Sequence, residues 1–124
     1  MTVAMLLVAF FLALQPNGYT QARPKCKGNP RIVGACYSVH GRLALGADTI
    51  ELRLWPVGTH RILGVSDGPE INDAENPVYP KNMMFPNADG DVYGDFEVCP
   101  FTRRREGAMQ FVCIESASHL VARR

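Results

Sequence analysis

The sequence lacks a large excess of charge of either sign, and this absence limits what the protein can attract. Its 13 Lys and Arg nearly balance its 12 Asp and Glu, so the formal net charge is +1 at pH 7. A chain with this balance has no global field to draw in nucleic acid, anionic lipid or an acidic substrate, and such binding would need a local patch. We therefore expect no nucleic-acid partner.

Metal-ligating patterns are also scarce. No Cys-x-x-Cys spacing occurs and the 124 residues contain only three histidines, so the sequence predicts no zinc site. The stretch from Asn87 to Asp95 resembles an oxygen-rich calcium loop, but Val92 and Val98 stand where an EF-hand needs Gly and Glu. We expect neither a metal nor a cofactor.

A long apolar run of membrane-spanning length is missing as well. The run at residues 3–14 is shorter than the roughly 18 to 20 residues that a spanning helix needs, and a polar stretch ending Thr20-Gln21-Ala22 follows it. This pattern predicts a signal peptide at 1–22, cleaved after Ala22, although no Lys or Arg lies near Met1. We expect a single mature domain at 23–124 that is secreted or periplasmic and has no membrane span after cleavage.

Four cysteines, an even number, lie in the predicted mature domain: Cys26, Cys36, Cys99 and Cys113. An exported chain meets oxidising conditions, so two disulfides are predicted. Pairing Cys99 with Cys113 across a hairpin, and Cys26 with Cys36, is the favoured connectivity. The rival joins Cys36 to a cysteine of the last hairpin and closes a long loop, which stabilises more strongly on the chain-entropy model.

The stretch 36–65 has the pattern of a three-stranded antiparallel meander. Apolar and polar residues alternate along 37–45, and the alternation resumes after turn residues at 46–48 and again after Pro56 and Gly58. We predict a register in which Leu43 lies opposite Leu52, and Leu52 opposite Leu63. The predicted buried face consists of Val39, Leu43, Leu45, Ile50, Leu52, Leu54, Leu63 and Val65.

The opposite face of the meander supplies the candidate ligand-binding surface. The predicted register places His40, Trp55 and His60 in one row, and Arg42 and Arg53 in the next. An indole flanked by imidazole and guanidinium groups can stack on a ring or hold an anion. The alternative is that the rest of the chain covers this face.

The second half predicts a long connection and a final hairpin. Prolines and turn residues fill 66–93, where only 70–76 can form a short helical turn, and apolar residues at 78–85 indicate packing on the sheet. Strands are predicted at 95–101 and 109–116. Arg103, Arg104 and Arg105 lie at the turn between them, either as a solvated tip or as an anion contact.

This order of elements is that of an all-β, five-stranded antiparallel OB-type barrel, with Gly41 at a bend in the long first strand. An antiparallel β-sandwich is the alternative. The segments VHGRLAL, LRLWPVGTHRILGV, GDFEVCPF and MQFVCIESA together resemble a family of small exported bacterial proteins of unknown function. The resemblance implies a secreted or periplasmic location and a shared fold, but no activity.

For function we expect a non-enzymatic binding or structural role in the cell envelope, with an envelope protein, a glycan or a small ligand as partner. One alternative is a small hydrolase that pairs His40, His60 or His119 with a carboxylate such as Asp95 or Glu97, although no spacing identifies a nucleophile. Another is a protease-inhibitor-like module. The sequence does not determine an oligomeric state.

Overall fold

The structure, a computed structural model, describes residues 26–46, 51–69, 78–87 and 89–124. A short 3₁₀ turn at Cys26–Gly28 precedes five strands. They are β1 (Tyr37–Leu45), β2 (Leu52–Pro56), β3 (Leu63–Val65), β4 (Asp91–Pro100) and β5 (Gln110–Arg123). The signal peptide predicted at 1–22 and the helical turn predicted at 70–76 lie outside the described residues. Among the residues that are described, no helix has the length and apolar character needed to cross a membrane.

The five strands close into a barrel in the order β1-β2-β3-β5-β4, with β4 pairing back to β1. This is the predicted OB-type arrangement, and it confirms an all-β, disulfide-crosslinked barrel. Four of the five pairings are antiparallel, but β3 and β5 run parallel. Strand directions cannot alternate around a ring of five, so one parallel pair is unavoidable in a closed barrel of this size.

The meander has the predicted faces but not the predicted register. Leu43 lies opposite Leu54 rather than Leu52, and Leu63 also lies opposite Leu54, so both predicted pairings were wrong by two residues. Because side chains alternate with a period of two, a slip of two residues leaves every side chain on its original face. A turn wider than predicted accounts for the slip between β1 and β2, since the hydrogen bond that closes this turn runs from Gly46 N to Glu51 O.

The core fills the inside of the barrel. Its fully or nearly fully buried members are Val39, Leu43, Leu52, Leu54, Leu63, Val65, Val92, Phe96, Val98, Val112, Ile114 and Ala117. Six residues of the predicted buried face are among them. Leu45 is not, because it ends β1 at the barrel rim and is 38% exposed. Ile50 lies outside the described residues.

Gly41 lets β2 approach β1 closely at the middle of the long first strand. A Cβ atom there would lie 2.8 Å from Leu54 Cδ1 and 2.9 Å from the carbonyl oxygen of Trp55. Both are closer than real Cβ atoms come to their neighbours. Glycine at this position is therefore a packing requirement of the barrel wall.

Both disulfides fasten the segment before β1 onto the β4–β5 hairpin. The pairs are Cys26–Cys113 and Cys36–Cys99, so the favoured prediction of Cys26–Cys36 and Cys99–Cys113 was wrong, and the long-loop rival was right for Cys36. Cys99 does lie directly opposite Cys113 in the hairpin, as predicted. The two sulfurs bond instead to the N-terminal segment, which packs across both strands.

The described part of the long connection, 78–87, packs on the barrel as predicted. Tyr79 and Met83 lie against the core, and Asn82 Nδ2 donates a hydrogen bond of 2.7 Å to the carbonyl oxygen of Ala117 in β5. Phe85 meets the Tyr79 ring edge-on, with centroids 4.9 Å apart. Burial raises the pKa of Tyr79 to about 12, because the phenolate would lose its hydration there.

Candidate functional site

A depression of about 600 Å³ opens between the β2–β3 loop (57–62) and the β4–β5 loop (101–109). We call it the basic groove. Arg61, Arg104, Arg105 and His60 line it, together with a single carboxylate, Glu106. Of the two loops, the β4–β5 loop is one through which OB-type barrels hold their ligands.

Gln110, at the start of β5, holds the two sides of the groove together. Only 8% of it is exposed. Its Oε1 accepts hydrogen bonds from Arg61 Nη2 at 2.9 Å and from the Tyr37 hydroxyl at 2.8 Å, and its Nε2 donates one to the carbonyl oxygen of Thr102 at 2.9 Å. One buried amide therefore links β1, the β2–β3 loop and the β4–β5 loop. Its hydrogen bonds to Arg61 and to Thr102 join the two loops that border the groove.

Local turns shape both loops. Gly58 and Gly107 adopt positive φ angles of 78° and 75°, which glycine takes without strain. In the β2–β3 loop the Thr59 hydroxyl donates to the carbonyl of Pro56 at 2.9 Å and accepts from the Arg61 amide at 3.2 Å. The sequence thus sets the path of the loop that carries Arg61.

The arginines of the groove differ in how far their charge is already neutralised. Arg104 and Arg105 are exposed, and neither forms a salt bridge within the described residues. Arg53, beside the groove, is paired with Glu51 at 2.8 Å and directs its other nitrogen to Met109 Sδ at 2.8 Å. The charge available to a ligand therefore resides on the loops rather than on β2.

The predicted ligand-binding residues do not form the predicted rows. Arg42 lies opposite Trp55, and its guanidinium carbon sits 4.6 Å from the indole centroid, so one face of the indole is already covered. His60 lies in the β2–β3 loop at the basic groove, and His40 faces β4. Arg53 is engaged by Glu51 and by Met109 Sδ. Ligand binding by these five residues stays a prediction.

The structure brings three of the residues named for the hydrolase alternative together on the outer surface. His40 Nδ1 on β1 lies 2.7 Å from Asp95 Oδ1 on β4, and His119 Nδ1 on β5 lies 3.0 Å from Asp95 Oδ2. We call this the His40–Asp95–His119 cluster. The hydrogen bond from His40, and after it the one from His119, hold the pKa of Asp95 below its ordinary value, while partial desolvation acts in the opposite direction.

Irregular backbone places His119 on that carboxylate. His119 is the one non-glycine residue with a positive φ, 52°, among the residues described. The β4–β5 register shifts between Tyr93 and Asp95, directly opposite. Bulges of this kind re-aim a side chain that a regular strand would direct elsewhere. No Ser, Thr or Cys in the described segments hydrogen-bonds to either imidazole.

A cluster of three cysteines in the structure and the calcium-like stretch of the sequence can each be examined as a metal site. The sulfurs of Cys26, Cys99 and Cys113 lie within 4.8 Å of one another, but all three are bonded in disulfides and offer no thiolate. In the calcium-like stretch, Asp91 faces Arg42, with Oδ2 3.6 Å from Nε, and Asp95 faces the histidines. These two carboxylates therefore do not converge on one point.

Sequence reasoning missed Arg61 and Gln110. Gln110 had a detectable signal, because it occupies an inward position of the alternating pattern that continues through Val112 and Ile114, and a polar residue there needs partners. Arg61 carried no such signal.

No protein-family model, no curated protein and no solved structure matches the chain. The resemblance to small exported bacterial proteins stays a prediction.

Proposed function

We propose that this chain is an exported binding domain, secreted or periplasmic, that holds an acidic glycan in the basic groove. The observation that carries the proposal is the groove itself, in which the exposed Arg104 and Arg105 of one loop and the half-buried Arg61 of the other line one open depression of about 600 Å³. Two disulfides are compatible with an oxidising compartment, and the pattern at 1–22 predicts export.

The charge of the groove favours a ligand with several anionic groups. Arg61, Arg104 and Arg105 against Glu106 leave a local excess of 3 − 1 = +2, although the whole chain carries only +1. A single exposed ion pair contributes only about 0 to 1 kcal/mol, so one carboxylate or sulfate would bind weakly. A polymer that carries such groups at intervals can engage all three guanidinium groups at once.

The lining of the groove favours a glycan over a nucleic acid. Proteins that hold single-stranded nucleic acid stack its bases on aromatic side chains, each worth about 1 to 3 kcal/mol. No Phe, Tyr or Trp is among the residues that line the groove. Guanidinium groups suit carboxylate and sulfate equally well, because their planar fork of donors matches two oxygens at a time.

A binding assay with matched charge variants tests the proposal. Heparin, as a sulfated glycan, and polygalacturonate, as a carboxylated one, are titrated into the chain at low and moderate salt. The groove variant is Arg104→Ala with Arg105→Ala; the control, Lys81→Ala with Arg124→Ala, removes the same charge from exposed positions outside the groove. We expect the groove variant alone to lose about tenfold or more in affinity and about two units of salt slope.

Three outcomes would contradict the proposal. Equal losses in the groove variant and the control would show non-specific attraction rather than a site. Tighter binding of a single-stranded oligonucleotide than of either glycan would indicate a nucleic-acid ligand instead. No measurable binding of either glycan at low salt would remove the groove as an anion site.

A further inference from the structure

A close group of sulfurs lies where the N-terminal segment (26–36) crosses the β4–β5 hairpin. The Sγ atoms of Cys26, Cys99 and Cys113 all lie within 4.8 Å of one another, although they belong to two different disulfides. Cys99 and Cys113 lie directly opposite each other in the strand pairing, and Cys113 Sγ is 3.7 Å from the carbonyl oxygen of Cys99. A sulfur of each disulfide is therefore a near neighbour of the other disulfide.

The four cysteines differ in their access to solvent. Cys99 and Cys113 are 0% and 1% exposed and Cys26 is 5% exposed, whereas Cys36 is only half-buried. The rate of thiol–disulfide exchange depends on access and on which of the two sulfurs is attacked. Cys36 is thus the sulfur at which a small thiol from solution enters.

We propose that the four cysteines form a thiol–disulfide relay, in which one low-molecular-weight thiol that attacks Cys36 opens both bonds between the N-terminal segment and the hairpin. The small thiol loses its proton and bonds to Cys36 Sγ, and the electron pair of the Cys36–Cys99 bond leaves on Cys99. The Cys99 thiolate then bonds to Cys113 Sγ, so that Cys26 leaves as a thiolate and takes up a proton. Each step forms one S–S bond and breaks one, and no other reactant is needed.

Proximity and burial both favour the second step. The attack of Cys99 on Cys113 is intramolecular, between sulfurs that the native fold already holds within 4.8 Å. A thiolate that stayed on Cys99 would lie in apolar surroundings, which disfavour a charged group. Cys26 belongs to the segment that the two bonds had fastened, and it can turn its sulfur to water once it is released.

The relay changes how the N-terminal segment is attached. Among the contacts that then remain, the Lys27 amide donates to Glu115 Oε2 at 2.7 Å. The Val33 amide donates to the carbonyl oxygen of Pro100 at 2.9 Å. The small core beneath the segment consists largely of the cysteines themselves, with Ile32, Phe101 and Phe111. One small thiol therefore converts a segment held by two covalent bonds into one held by non-covalent contacts, while the hairpin stays crosslinked.

The test starts from the oxidised, folded wild type. The chain is incubated with reduced glutathione for increasing times, its thiols are trapped with acid and N-ethylmaleimide, and its bonds are identified by peptide mapping without reduction. We expect the first product to carry glutathione on Cys36, maleimide on Cys26 and a Cys99–Cys113 bond. In later samples Cys26 can displace the glutathione, which leaves a Cys26–Cys36 bond beside the same Cys99–Cys113 bond.

A matched pair of variants isolates the second step. Cys36→Ser and Cys99→Ser both lack the Cys36–Cys99 bond, but only Cys36→Ser keeps the sulfur at position 99. We expect maleimide to label Cys26 in most molecules of Cys36→Ser, and to label only Cys36 in Cys99→Ser. The amides of 26–36 should lose protection against hydrogen exchange in Cys36→Ser relative to Cys99→Ser, because only the former frees the whole segment.

Three results would overturn the proposal. Glutathione on Cys36 together with a free Cys99 and an intact Cys26–Cys113 bond would show that the two disulfides open independently. Glutathione found first on another cysteine would refute Cys36 as the point of entry. Equal labelling of Cys26 in the two variants would show that Cys99 does not pass the exchange on. The wild-type time course does not depend on how either variant folds, and none of the four cysteines lines the basic groove, so the two proposals stand or fall separately.

Discussion

Replacing Gln110 by methionine should separate the rigidity of the basic groove from its charge. The two side chains are similar in length, but methionine offers Arg61, the Tyr37 hydroxyl and the Thr102 carbonyl no strong hydrogen-bonding partner. Each lost bond costs about 0.5 to 1.5 kcal/mol, and the partners are only partly buried and can turn to water. We expect the free energy of unfolding to fall by about 2 to 4 kcal/mol, measured by denaturant titration.

The same variant makes a distinct prediction for glycan binding. Arg61 loses the contact that fixes its position but keeps its charge, so heparin affinity should fall by only about three- to tenfold, with the salt slope unchanged. Gln110→Glu is the informative companion, because its carboxylate can still accept from Arg61 while it removes one unit of charge from the groove. A Gln110→Met chain as stable as the wild type would refute the role assigned to this amide. A changed salt slope would refute the separation of position from charge.

The remaining predictions concern the crosslinks, one phenol and one glycine. Replacing Cys36 and Cys99 by Ala opens a loop of sequence separation 63. We expect the free energy of unfolding, measured by guanidinium titration, to fall by about 3 to 4 kcal/mol. A fall of less than about 1 kcal/mol would contradict the chain-entropy estimate. Because burial raises the pKa of Tyr79 from 10.0 to about 12, the neutral phenol stabilises the fold fully below pH 10. This stabilisation is lost as the pH rises towards 12, whereas Tyr79→Phe should show no such loss. Gly41→Ala should lower the free energy of unfolding by about 1 to 3 kcal/mol through overpacking, because the carbonyl of Trp55 belongs to the backbone and cannot move aside. A thermal unfolding curve equal to that of the wild type would show instead that the strand shifts to accommodate the methyl group.

The faces of the barrel wall could be predicted from the sequence, but its register could not. Alternation along β1 and β2 assigns each side chain to a face, and that assignment survives any slip by an even number of residues. The turn after Gly46 decides between the candidate slips, and its residues are compatible with more than one loop length. Leu43 was therefore placed on the correct face and opposite the wrong partner.

The candidate sites depend on contacts that only barrel closure creates. Leu63 of β3 pairs with Gln110 of β5 in the one parallel ladder, which brings the β2–β3 loop beside the β4–β5 loop. The arginines at the hairpin tip were visible in the sequence, but nothing there indicated that Arg61 would face them. His40 and His119 lie on strands that flank β4 on opposite sides, so their meeting on Asp95 likewise required the complete topology.

The disulfide pattern has a consequence for how the protein is made. The loop closed by Cys36–Cys99 lies wholly inside the loop closed by Cys26–Cys113, so neither of the two pairs of cysteines that lie nearest in sequence, Cys26 with Cys36 and Cys99 with Cys113, is bonded. An oxidase acting on a growing chain meets Cys26 and Cys36 first, ten residues apart, and such short loops close readily. We expect a Cys26–Cys36 bond formed in this way to be reshuffled through a mixed disulfide before the native pairs can form. Recovery of native protein should therefore depend on an isomerase, and oxidation without one should accumulate the Cys26–Cys36 bond.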